Sequence, residues 1–273
     1  GARVELPTMD IATGLDLMLP AIAYGASQVV VVAMGYEDRE YLDAVRKQMD
    51  IAQAILSSLG YGGRHFALIV ASDGEAIEQG FATLEPATSV ATPATFMLSN
   101  DKRTAIEFAV EHLVREAPAP VDVVPLPEGS PFGQVIVDKA KCTLCLSCVG
   151  ACPESALMDG VDQPLLKFLE RNCVQCGLCA NTCPEDAITL EPRLLLAAAV
   201  REARVLNETE PFHCVSCNKP FGTKQMVESM MGRLAGHSMF AGGSALRRLQ
   251  MCADCRVVDM MKSKDEASVL RWG

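Results

Sequence analysis

Cysteine is missing from this 273-residue chain until Cys142, and all twelve cysteines lie from there onward. A secreted disulfide scaffold is thereby excluded, because such chains are short and spread their bridges over the whole fold. Positive charge is in the minority, with 24 Lys plus Arg against 34 Asp plus Glu and a formal net charge of -10. Gripping a phosphate backbone takes a basic stripe, so no nucleic-acid partner is expected. Uninterrupted apolar runs are also lacking. The longest stretch, residues 15–35, is broken by Asp16, Pro20, Gly25, Ser27 and Gln28 and changes character halfway, so no membrane span is expected. Neither G-x-G-x-x-G nor G-x-x-x-x-G-K-[ST] occurs, which removes the usual dinucleotide and P-loop readings. With 49% apolar and 21% charged residues the chain is globular rather than disordered. Gly1 rather than Met at its start is what a fragment or a processed product would show.

What is present begins with an α/β pattern over residues 1–116. Residues 15–24 read as a helix and the β-branched run 29–33 as a buried strand. Residues 38–59 read as a long helix with Tyr41, Leu42, Val45, Met49, Ala52, Ile55 and Leu56 on one face, stopped by Gly60. A second apolar strand at 65–71 precedes the turn Ser72-Asp73-Gly74. A third apolar run at 95–98 leads through Ser99 and Asn100, both good N-cap residues, into a helix ending near Glu116. Alternating strands and helices predict a parallel sheet covered by helices. The five prolines of residues 117–131 predict a semi-rigid linker.

Beyond the linker the cysteines fall into matched quartets. Residues 141–153 read K-C-T-L-C-L-S-C-V-G-A-C-P and residues 172–184 read N-C-V-Q-C-G-L-C-A-N-T-C-P, two copies of C-x2-C-x2-C-x3-C-P in which Cys173 repeats Cys142 and Cys183 repeats Cys152. Three thiolates at that spacing wrap one iron–sulfur cubane, while the fourth points away and ligates the other. The expected assignment is therefore crossed. Cys142, Cys145, Cys148 and Cys183 hold cluster one, and Cys173, Cys176, Cys179 and Cys152 hold cluster two. No histidine replaces a thiolate, which excludes a Rieske centre, and both quartets are complete, which argues against a three-iron centre. Thiolates that bind metal also place the chain in a reducing compartment, the cytoplasm.

Over residues 132–191 the sequence resembles the bacterial-type dicluster ferredoxins, with short strands expected at 134–138, 156–158 and 188–190. The resemblance implies an α+β domain with two [4Fe–4S] clusters that carries single electrons between redox partners. A helix over 192–206, with Pro192 in its first turn, is expected within a connecting segment, residues 192–211.

Residues 212–273 hold two more C-x2-C pairs, Cys214/Cys217 and Cys252/Cys255. Two such knuckles facing each other form a four-sulfur site, so a zinc-ribbon-like module with structural zinc is expected. A third iron–sulfur cluster, free thiols or a reactive pair are the alternatives. Phe212 and Phe221 read as its small core, His213 and His237 as supporting rather than ligating residues, and Met226, Met230, Met231 and Met239 as helix core.

The cysteine-free domain has its own resemblance. L-P-A-I-A-Y-G-A-S-Q-V-V-V-V-A, a loop ending Glu40-Tyr41, a long helix, then Gly60 and Arg64 is similar to the small iron–sulfur subunit of methyl-viologen-reducing hydrogenase, also found fused to heterodisulfide reductase. That family carries cluster cysteines in the loop where this chain has Met34-Gly35-Tyr36-Glu37-Asp38-Arg39, so the resemblance implies a domain retained for docking. The domain order also resembles iron–sulfur proteins that accompany formate dehydrogenases. No nucleophile–base pair, catalytic carboxylate pair or flavin loop is apparent, so substrate chemistry is expected on a partner oxidoreductase. An electron-transfer subunit is the leading expectation. An accessory or assembly factor, with the clusters as redox sensor or cargo, is the alternative.

Overall fold

The computed structural model describes residues 13–161, 163–240 and 243–262. Residues 1–12 and 263–273, which belong to the first and last of the expected domains, lie outside the described residues. The chain divides into two compact units, Gly1–Ser130 with Pro192–Ala197 and Pro131–Glu191 with Ala198–Gly273.

In the first unit, α1 (Leu15–Ala23) buries Met18, Leu19 and Ile22. The strand β1 (Val29–Ala33) follows, then α2 (Arg39–Ser58), β2 (Phe66–Val70), α3 (Gly74–Ala82), α4 (Lys102–Arg115) and β3 (Val123–Pro125). α1 packs on α4. The Asp38 side chain accepts the Glu40 N–H and starts α2, whose buried stripe is Val45, Met49, Ala52, Ile55 and Leu56. That is the expected face, except that Tyr41 at its start is 38% exposed. Past the helix, Gly60 has φ +86, and a Cβ there would meet Ala119 Cβ at 2.9 Å. Glycine is required on both counts.

β1 and β2 are parallel and in register from Val29↔Phe66 to Ala33↔Val70. Among the described residues this parallel sheet has two strands, not three. The run at 95–98 forms no ladder. Side chains hold it instead: the Phe96 ring lies 5.0 Å from Tyr24 and 5.8 Å from Phe108, and the Tyr24 hydroxyl donates to the Phe96 carbonyl. Met97 is consequently left 88% exposed. Ser72 and Asp73 bend the chain as expected, and Gly74 starts α3, which Asp73 caps by accepting the Ala76 N–H at 2.9 Å. Asp101, rather than Ser99 or Asn100, caps α4 through the Thr104 N–H.

The proline-rich segment is more than a linker. Its β3 pairs antiparallel with residues Arg193, Leu194 and Leu195, and Val124 is fully buried. The same pairing overturns the helix expected over 192–206. Residues up to Leu195 belong to strand β7 (Ile188–Leu195), a 3-10 turn occupies Ala198–Arg201, and the strand β8 spans Arg204–Glu208. The Leu126 N–H donates to the Pro192 carbonyl and the Leu196 N–H to that of Asp122, fixing this stretch to a strand far back in the chain. That long-range pairing overrides the local helix preference of Leu and Ala.

The second unit contains β4 (Gly133–Val137), α5 (Ser147–Gly150), β5 (Leu157–Asp159), β6 (Leu165–Phe168), α6 (Leu178–Thr182), the start of β7 and all of β8. β4 pairs with β7, and β5 with β6, to which β8 adds as a third antiparallel strand. The expected short strands at 134–138, 156–158 and 188–190 are thus present, each displaced by a residue or less at its start. Val135, Leu157, Leu166, Phe168 and Ile188 form its core together with Cys148, Cys173 and Cys179.

The rest of this unit is the hairpin β9 (Pro211–His213) and β10 (Pro220–Thr223), then α7 (Lys224–Leu234), α8 (Ser244–Leu249) and α9 (Ala253–Lys262). Met226, Met230 and Met231 are half-buried on α7. Met239, expected in helix core, falls after α7 has ended, in the turn Ser238–Phe240, and is 76% exposed. The mixed α/β architecture is therefore several small sheets rather than one large one.

Candidate metal centres

The cysteine repeat is also a repeat of backbone conformation. Leu144 and Gln175 have φ of 53 and 55, Leu146 and Gly177 of 60 and 78, and Ser155 and Asp186 of 51 and 47. The members of each pair hold equivalent positions in the two quartets. A left-handed conformation costs a non-glycine residue about 1–2 kcal/mol. Repeated strain of this kind marks a clamp, and alternating backbone handedness turns successive N–H groups toward an anion or cluster. The sulfurs follow the repeat too: the Ala156 N–H donates to Cys152 Sγ at 3.2 Å and the Ala187 N–H to Cys183 Sγ at 3.4 Å. The strands β4 and β6 are equivalent, as are β5 and β7. Each half thus pairs its first strand with the last strand of the other.

This exchange sorts the eight cysteines. One hollow is lined by Cys142, Cys145, Cys148 and Cys183, with Thr143 and Glu185 beside them. The other is lined by Cys152, Cys173, Cys176 and Cys179, with Glu154 and Val174. The two hollows are of similar size, about 360 and 350 Å³. Burial pushes the thiol of Cys148 up to about 12 and that of Cys179 up to about 11, and raises Cys173 as well. A thiol so placed keeps its proton until a cation enters, so filling such a site releases protons. Backbone N–H groups bonded to sulfur and partly buried thiols around a hollow fit a cluster that combines cationic iron with anionic sulfide.

One polar contact breaks the repeat. Gln175 Nε2 donates to Cys173 Sγ and to the Gln134 carbonyl, both at 3.3 Å, where the other half has the apolar Leu144. Gly133 leaves it room, since a Cβ there would meet the Glu191 carbonyl at 2.4 Å and Gln175 Cδ at 2.5 Å. Arg204 on β8 completes the surroundings, donating to Gln134 Oε1 at 2.8 Å, pairing with Glu170 at 3.2 Å and lying over the Phe168 ring. Sequence reasoning missed Gln175, although aligning the two halves would have exposed the Leu/Gln difference. An N–H aimed at a ligand sulfur stabilises added negative charge. Were a [4Fe–4S] cluster bound at Cys173, Gln175→Leu would be expected to lower its potential, by about fivefold to tenfold in the redox equilibrium, where tenfold is about 59 mV. A redox titration checks this, and a cluster in the other hollow should hold its potential.

The remaining cysteines behave differently. Among the described residues, Cys214, Cys217, Cys252 and Cys255 are the one set of three or more potential ligands whose donor atoms all lie within 4.8 Å. Donors converging on a point suit a single ion, whereas the other eight surround hollows. Cys214 and Cys217 sit in the β9–β10 turn, which closes through Cys214 N–H to the Lys219 carbonyl at 2.9 Å and a left-handed Asn218. Cys252 and Cys255 open α9, and the Val215 N–H joins the two knuckles by donating to the Gln250 carbonyl at 3.0 Å. Burial opposes the thiolate of Cys214, but N–H groups of Cys252, Cys217 and Ser216 outweigh it and hold this thiol below the usual thiol range, while hydrogen bonding with Cys217 pushes Cys255 the other way. Phe212 and Phe221 meet edge to face at 5.8 Å, but of the two only Phe221 packs against the buried cluster of Cys214, Met251 and Cys252. His213 is exposed and lies outside the four-sulfur set. His237 accepts the Met239 N–H at 3.3 Å.

Residues 141–188, which include all eight cysteines of the two quartets, match the family model of the 4Fe–4S dicluster domain. No curated protein matches the chain. Among the described residues no helix is long and apolar enough to cross a membrane.

Proposed function

We propose that this chain is an electron-transfer protein with two [4Fe–4S] clusters, one on Cys142, Cys145, Cys148 and Cys183 and the other on Cys173, Cys176, Cys179 and Cys152. The reading is carried by one observation: two equivalent four-cysteine hollows inside a stretch that matches a dicluster domain. Bound there, such clusters supply one-electron redox chemistry. The chain's own residues hold the sulfurs in place, limit access of water through the apolar core of Val135, Leu144, Leu166 and Ile188, and set the local charge through Gln175, Glu154 and Glu185. Cys145 and Cys176 are the exposed member of each set and give each hollow its contact with the surface, where a redox partner must approach.

The set Cys214, Cys217, Cys252 and Cys255 is assigned to a structural zinc ion, the choice that four converging thiolates favour. The cysteine-free first unit contributes no thiolate to any of these sites, and its role in this reading is to dock a redox partner that holds the substrate chemistry.

Metal analysis of anaerobically purified protein tests the assignment. About eight irons and one zinc per chain are expected, with reversible one-electron reduction. About four irons would sink the two-cluster reading, and clusters reducible only on unfolding would sink the electron-transfer role.

A further inference from the structure

The two hollows are alike in their cysteines but not in what is built upon them. In the first, Thr143 lies between Cys142 and Cys145 and is buried, and its carbonyl accepts a hydrogen bond from the Thr223 hydroxyl at 2.7 Å. The same hydroxyl oxygen accepts the Met226 N–H at 3.1 Å and caps α7. One buried side chain thus fixes both a cluster loop and the start of a helix. At the other end of α7, Arg233 forms an ion pair with Glu185, two residues beyond Cys183. Glu185 lines the first hollow, and its side chain is 14% exposed. The helix is therefore anchored at its two ends to the two chain segments that bring Cys142, Cys145 and Cys183 to one place.

Among the described residues no helix is anchored in this way at the second hollow. The residues equivalent to Thr143 and Glu185 in the other half of the repeat are Val174, which is half-buried, and Glu154, which is exposed. Thr223 also belongs to β10, the strand of the hairpin whose turn carries Cys214 and Cys217. A metal that fixes that turn therefore fixes the strand leading to Thr223.

We propose that α7, through Thr223 and Arg233, is a positioning element for the first cluster site alone, and that its grip depends on metal at Cys214, Cys217, Cys252 and Cys255. The proposal rests on the reading of the hollows as cluster sites. It gives the four-cysteine module a regulatory role: loss of its metal loosens one cluster and spares the other. The Arg233 cation also offsets the Glu185 carboxylate beside the first site, whereas Glu154 beside the second stays open to solvent. Removing the cation leaves uncompensated negative charge near the first cluster, which disfavours its reduction.

Full-length wild type, Thr223→Val, Thr223→Ser, Arg233→Gln and Cys252→Ser, all purified anaerobically, provide the test. EPR of the reduced proteins with redox titration resolves the two clusters, and Cys142→Ser identifies the first-site signal by abolishing it. Thr223→Val should alter that signal and release about half of the iron to a chelator several-fold faster. Thr223→Ser, which keeps the hydroxyl, should behave as wild type. Arg233→Gln should make the first cluster several-fold harder to reduce, and Cys252→Ser should reproduce the faster iron loss at the first site. Equal changes at both clusters, or an unchanged first site in Thr223→Val, would overturn the coupling. Wild-type protein without iron would take down the cluster reading itself, an outcome distinct from a two-cluster protein whose clusters respond alike.

Discussion

Replacing Cys183 by alanine should cost the protein the cluster held by Cys142, Cys145 and Cys148, although Cys183 lies beside Cys179 in sequence. Iron should fall from about eight to about four per chain, and EPR of the reduced protein should keep the signal of the set Cys173, Cys176 and Cys179. The argument is topological. Cys183 shares its hollow with the first quartet because α6 carries it past its own loop, and the Ala187 N–H holds its sulfur there at 3.4 Å. Cys152→Ala should give the reciprocal loss, with Ala156 as the equivalent donor. If each substitution instead abolishes the cluster of its own quartet, the exchange of ligands is wrong. A protein that retains every iron in both variants would be equally damaging.

The second large effect concerns the four-cysteine set. Its buried core is small, consisting of Cys214, Met251 and Cys252 with Phe221 and Cys255 packed against them. Three of those five side chains are the proposed ligands themselves, so little apolar burial remains to stabilise the segment without a metal. Structural zinc contributes about 10–16 kcal/mol to folding in small domains at neutral pH, more than such a core can supply. Cys252→Ser should therefore release the zinc and leave residues 211–262 open to proteolysis, while the fold of the first unit persists. Limited proteolysis with mass spectrometry reads the outcome directly. Full protection of that segment in zinc-free protein would show that the metal is not what holds it.

How much of this could be read from the sequence differs from element to element. The two cysteine quartets were legible in number and spacing because their pattern is local, and it is the stretch that matches the 4Fe–4S dicluster model. α2 was legible almost to the residue, because Asp38 caps it, Gly60 ends it and its apolar stripe is unbroken between them. The stretch after Pro192 was not. Its Leu and Ala residues favour a helix locally, and its strand pairing depends on β3, which lies in a segment that its prolines had marked as a linker. The run at 95–98 failed for the converse reason. It has strand composition, but its aromatic ring is taken up by Tyr24 and Phe108, and no neighbouring edge receives its backbone. Gln175, Thr223 and Arg233 carry no motif, and only their distances to Cys173, Thr143 and Glu185 give them a role.

The exchange of strands between the repeat halves makes each half structurally dependent on the other. A chain containing only one half would present a three-thiolate loop with a stray fourth sulfur and two strands whose partners lie elsewhere. Neither half of the repeat can therefore complete its ladder or its hollow without the other, and the contacts at Thr143 and Glu185 are where the two halves differ most in their surroundings.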